Sequence, residues 1–130
     1  MTTDLWMLVS TALLCMLIPN VGITGLALIP GGLPWGFGNR DTPFAVPAWI
    51  ERARRAHMNM VENLAPFACL VLVAHVAGKA DATTALGAQI FFVSRVAHAA
   101  IYIIGIPYLR TLAFVGGVIG EVMILLRILA

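Results

Sequence analysis

Four stretches of the chain are apolar over about the length that a helix needs to cross a bilayer, roughly 20 residues. They run from about Leu5 to Ile29, Ala48 to Ala77, Thr83 to Ile104, and Leu109 to Ala130. Pro19 and Asn20 fall inside the first. A proline inside a membrane helix bends its path rather than ending it. Between the first two stretches, PGGLPWGFGNRDTPFAVP from Pro30 to Pro47 predicts a loop, because its glycines and prolines interrupt regular structure. GKADA and GIPY predict short turns. No internal repeat or low-complexity segment stands out. The pattern predicts an all-α integral membrane protein, with residues 1–130 forming one four-helix transmembrane bundle of antiparallel neighbours.

The second stretch changes character halfway. WIERARRAHMNMVEN is polar, whereas LAPFACLVLVAHVA suits lipid. One long helix is expected, its N-terminal part projecting toward water or lining a protein interior.

Composition agrees with the pattern. Of 130 residues, 61% are hydrophobic and 11% charged, against about 25% charged in a soluble domain. So small a protein could not hide that apolar surface in a single core. A net charge of +2 gives no basic field of the kind that holds nucleic acid. Cys15 and Cys69 lie in apolar runs without CxxC or metal-ligand spacing, so free thiols and no metal are expected. MTTD is acidic, and no small-residue cleavage site follows the first apolar run, so that span is expected to stay. Arg40, Arg52, Arg54, Arg55 and Arg110 crowd the first and third connections, against Lys79 and Arg127 on the opposite side. The bias puts both termini on the non-cytoplasmic side.

Ionisable residues inside spans are costly and tend to face an interior or a cavity. Arg55, Asn59 and Glu62 stand at i, i+4, i+7 of the second helix, on one face. Arg95, His98 and Tyr102 share a face of the third, and Arg110 and Thr111 open the fourth. Antiparallel packing lets these faces meet in the cytoplasmic half of the membrane. Two readings fit that convergence. One is a structural clamp, with Glu62 pairing Arg55 or Arg95. The other is a site for an anionic, peptide-like ligand, because cations and donors outnumber carboxylates. His57 lies off the Arg55–Asn59–Glu62 face and matters if a second subunit sits there. His75 reads as a satisfied interface histidine, and Glu121 as a bond to a neighbouring helix. Gly116 and Gly120 read as a close-packing pair, and Trp35, Trp49 and Tyr108 as an interfacial aromatic belt.

ERARRAHMNMVENLAPF, RVAHAAIY and RTLAFVGG, in that order on helices two, three and four, closely resemble the MAPEG family of membrane-associated proteins in eicosanoid and glutathione metabolism. The resemblance implies a homotrimer with glutathione, as co-substrate, held between adjacent subunits. It gives Arg54, Arg55, His57, Asn59 and Glu62 the task of gripping the tripeptide, with His98 and Tyr102 nearby; Tyr102 or Thr111 is the candidate hydrogen-bond donor to the sulfur. Arg110 stands at the family position that stabilises the glutathione thiolate, and Arg95 and Glu121 are left as a structural polar network. Met58 and Phe114 replace an arginine and a tyrosine of the prostaglandin E synthase branch, which brings the chain nearer the microsomal glutathione transferases. Some members also use a basic residue late in helix 1. Here that helix has none, and Arg40 in the loop is the one substitute.

The expected activity is attack of an activated glutathione thiol on a lipophilic electrophile or a lipid hydroperoxide arriving from the bilayer. A nearby cation lowers a thiol pKa from about 8.5 and raises the thiolate fraction. The alternative is a non-catalytic lipid- or glutathione-binding protein on the same scaffold.

Overall fold

The computed structural model describes all residues, Met1–Ala130. It contains α1 (Thr3–Ala27), a short α2 (Gly32–Phe37), α3 (Ala48–Val76), α4 (Ala82–Ile104) and α5 (Pro107–Leu129). All but α2 are long and apolar enough to cross a bilayer. The protein is therefore a multi-pass integral membrane protein. Its outer surface carries large exposed apolar side chains such as Leu13, Met16, Leu112 and Ile119, whose solvent is lipid.

Local signals set the bounds of α4 and the start of α5. Asp81 caps α4: its carboxylate accepts from the backbone N–H groups of Thr83 and Thr84, while Thr84 Oγ1 accepts from the Asp81 N–H. Gly105 ends α4 in the left-handed region at φ +98°, where glycine carries no Cβ penalty. Pro107 starts α5, where a missing N–H costs nothing. Pro19 and Pro66 lie within α1 and α3, which continue through them. The Gly/Pro-rich loop holds a helical turn that the sequence pattern did not predict. Trp35 of α2 folds it over, donating Nε1–H to the Thr42 carbonyl at 2.7 Å and stacking on Phe44.

The four long helices run antiparallel to their chain neighbours around a core of Phe67, Val71 and Ala74 from α3, Ala88 and Phe91 from α4, and Ile124 from α5. Phe67 and Phe91 stack with centroids 3.9 Å apart. The α4–α5 crossing depends on glycines. A Cβ on Gly120 would sit 2.4 Å from the Gly87 carbonyl oxygen, and one on Gly87 would sit 2.7 Å from that of Gly120. Gly116 instead lies against Ser94, and Gly117 against the Arg95 guanidinium.

The end where α1 begins is closed by polar pairs. Asp4, only 2% exposed, accepts from His75 Nε2 at 2.9 Å and from Thr84 Oγ1 at 3.2 Å. Arg127 at the tail of α5 donates to Asp81. At the opposite end lie the connection between α1 and α3, the Gly105–Ile106 turn, and most of the arginines.

Candidate functional site

At the arginine-rich end, α3, α4 and α5 border an open basin of about 290 Å³ lined by Asn59, His98, Tyr102, Arg110, Thr111 and Phe114. Of the α3 face read from the sequence only Asn59 reaches this basin, where it meets His98 and Tyr102 of α4 and Arg110 and Thr111 of α5. Tyr102 and His98 stand one turn apart on α4, with rings edge to face at 5.4 Å. Arg110, in the first turn of α5, lays its guanidinium over the Tyr102 ring, 4.4 Å from the centroid. It has no carboxylate partner, and no carboxylate lines the basin. Thr111 turns its hydroxyl back to the Pro107 carbonyl, 3.3 Å away.

Behind the basin sits Arg95, fully buried. Its Nη1 donates to Asn59 Oδ1 and its Nη2 to the Phe114 carbonyl, both at 3.2 Å. The guanidinium lies between the rings of Phe91 and Phe114, at 5.1 and 5.2 Å. Gly117 makes this possible, because a Cβ there would lie 2.3 Å from Arg95 Nη2. Asn59, whose Oδ1 is held by Arg95, also lines the basin. Glu121 Oε1 and Arg95 Nε are both buried without a hydrogen-bond partner.

The remaining candidates from the sequence lie elsewhere. Arg55 and Glu62 are exposed on the outside of α3. Neither forms an ion pair, so the Glu62–Arg55 and Glu62–Arg95 pairings are not found. Arg54 and His57 line a second groove of about 450 Å³ on the α1 side of α3, together with Arg40, Trp35 and the apolar wall of α1. Arg54 pairs with Glu51 one turn away, at 3.2 Å. His57 Nδ1 is buried without a partner. Arg40 is occupied by its own loop: Nε and Nη2 donate to the Gly36 carbonyl at 3.0 and 2.7 Å, and the guanidinium rests on Trp35.

One contact beside the site escaped the sequence reading. Arg52 of α3 donates Nε–H to the Ile103 carbonyl at 2.9 Å and Nη2–H to that of Ile104 at 3.4 Å. Its spacing of seven from Asn59 put it on the α4-facing side, which was the available signal.

The arrangement offers one free cation, several donors and no competing carboxylate, which suits an anionic ligand. The model of the MAPEG family matches residues 3–130. Searches among curated proteins and among solved structures find no match.

Proposed function

The chain belongs to the MAPEG family, a family of membrane proteins in eicosanoid and glutathione metabolism, and from that premise we propose that it is a glutathione-dependent membrane transferase or peroxidase. The observation that carries this reading is Arg110: an unpaired guanidinium over Tyr102 in a basin without carboxylates. Glutathione supplies a thiol nucleophile. Arg110 supplies the fixed positive charge that favours the deprotonated sulfur. The N-terminal end of α5 adds to that field, and the Tyr102 hydroxyl is the candidate hydrogen-bond donor to sulfur. Asn59, oriented by Arg95, donates to the peptide portion. The thiol proton leaves through the open basin to water. In conjugation, a carbon–sulfur bond forms as the electrophile's leaving group departs with its electron pair.

In this reading the unit of function is a homotrimer with its sites between protomers, in the cytoplasmic half of the membrane and with both termini outside. Arg54 and His57 of one protomer then serve the basin of the next. Arg55 and Glu62, exposed and unpaired on a single chain, meet the ligand in the same interface, with Glu62 accepting from its amino group. The lipophilic partner arrives laterally from the bilayer.

One observation favours the non-catalytic alternative. Arg40, the only substitute for a helix 1 cation, is bound to Gly36 and Trp35 rather than free. Purified protein in mild detergent, supplied with glutathione and a generic aryl halide, decides between the two. Glutathione-dependent release of halide supports the enzyme, and glutathione binding without release supports the binder.

A further inference from the structure

The cation over Tyr102 is only as well placed as the turn that delivers it. Tyr102 lies in the last turn of α4 and Arg110 in the first turn of α5, with only Gly105 and Ile106 between the helices. The last carbonyls of a helix have no partners within it, and a helix end left so is free to fray. Here Arg52 of α3 reaches across and donates to two of them, Ile103 at 2.9 Å and Ile104 at 3.4 Å. Its guanidinium lies under the turn itself, since a Cβ on Gly105 would be 3.0 Å from Arg52 Cζ. The positive charge also sits at the negative end of the α4 dipole. Arg52 is not among the residues that line the basin.

We infer that Arg52 is a positioning residue, a clamp that pins the α4–α5 turn and thereby holds Arg110 over Tyr102. The inference rests on the proposed role of Arg110 for its consequence in activity, but the clamp can be read without glutathione. A guanidinium 4.4 Å from a ring centroid has its Nε–H resonance displaced by the ring current. That resonance, assigned by its loss in Arg110→Ala, reports the placement directly.

Arg52→Met keeps the aliphatic stem and removes the fork. In full-length detergent-solubilised protein it should move the Arg110 Nε–H signal toward that of an exposed arginine. It should also reduce the bound glutathione thiolate at neutral pH by roughly ten-fold, the equivalent of one pKa unit. Affinity for S-methylglutathione, which has no thiol to ionise, should stay within a few-fold. Arg52→Lys retains a cation but cannot span both carbonyls, and should fall between wild type and Arg52→Met in both readouts. It carries the test alone if the methionine variant fails to assemble. In an Arg110→Ala background Arg52→Met should cost no further thiolate, because both act on one charge. An Arg110 signal unmoved by substitution of Arg52 overturns the clamp, and so do losses that multiply in the double variant. A wild-type protein that binds glutathione only as the thiol defeats the activating role of Arg110, while the Arg110 signal still decides the clamp.

Discussion

The two ends of the bundle use polar residues in opposite ways. Where α1 begins, the carboxylates are matched: Asp4 accepts from His75 and Thr84, and Asp81 from Arg127. At the other end Arg110 and Arg55 have no carboxylate partner, and a cavity opens where polar residues of α3, α4 and α5 meet. A matched buried charge fixes helices. An unmatched cation beside a cavity is an electrostatic offer to a ligand. The difference separates polarity that holds the fold from polarity available for chemistry, and substitutions at each end should fail in different measurements.

The largest effect is expected at the closed end. Asp4→Ala removes the acceptor shared by His75 and Thr84 and with it the tie between α1, α3 and α4. Losing a buried acceptor costs about 1–3 kcal/mol for each partner left without it, so thermal unfolding in detergent should shift sharply downward. Glutathione affinity at a permissive temperature should hold. A variant that unfolds like wild type would show the closed end to be ornamental.

Next in size is Glu62→Ala at the open end. A hydrogen bond to a charged group contributes about 1.5–3 kcal/mol, so glutathione affinity by calorimetry should weaken by roughly ten-fold or more. Stability should change little, because Glu62 is exposed and unpaired within the chain. If Glu62→Gln keeps full affinity with assembly intact, the carboxylate is not a ligand contact.

These contrasts were unevenly legible in the sequence. Four apolar runs announced the membrane helices, and the polar half of α3 announced that one of them lines something other than lipid. Antiparallel packing predicted that Arg55, Asn59 and Glu62 would meet Arg95, His98 and Tyr102 near Arg110 and Thr111; Asn59, His98, Tyr102, Arg110 and Thr111 do share a basin, whereas Arg55 and Glu62 lie exposed outside it. At the closed end His75 read as a satisfied interface histidine, as its bond to Asp4 shows it to be, but its partner was not legible, because Asp4 lies 71 positions away and belongs to no periodic pattern. Asp4 read only as an acidic residue near the terminus. The separation of Arg54 and His57 from the basin was half visible, since the 100° turn per residue put His57 off the Asn59 face. That the groove on that side is walled by α1 required the tertiary contacts. The helical turn at Gly32–Phe37 was hidden by its own glycines and proline, which local preference assigns to loop.

A smaller effect should come from Gly117→Ala, which links the two kinds of polarity. The added methyl would meet Arg95 Nη2 and push the guanidinium away from Asn59. Overpacking of this kind costs about 1–3 kcal/mol. Both the unfolding temperature and glutathione affinity should drop modestly. A loss confined to one of them would mean that Arg95 does not couple core to basin.

The smallest effect is one of pH. The Arg127 guanidinium donating to Asp81 holds that carboxyl below the usual carboxylate range. Because the folded value lies below the unfolded one, the contribution is fully present above the unfolded value of about 3.9. It is lost as pH falls through the folded value. Unfolding temperature should therefore be insensitive to Asp81 between neutral pH and about pH 5, then decline in stronger acid. Asp81→Asn, which can still cap α4, should flatten part of that acid limb. An unchanged acid limb would assign it to other carboxylates.

The central claim is that the open end keeps Arg110 unmatched so that its charge acts on a bound thiol. Ultraviolet absorbance of glutathione thiolate, titrated against pH in wild type and in Arg110→Ala, tests it most directly. One to two pKa units separate the two curves if the claim holds, a roughly ten- to hundred-fold difference in thiolate at neutral pH while the bound thiol remains mostly protonated. Glutathione affinity should then differ only a few-fold. Coincident titrations would contradict the claim and leave Arg110 as an anchor at the membrane interface.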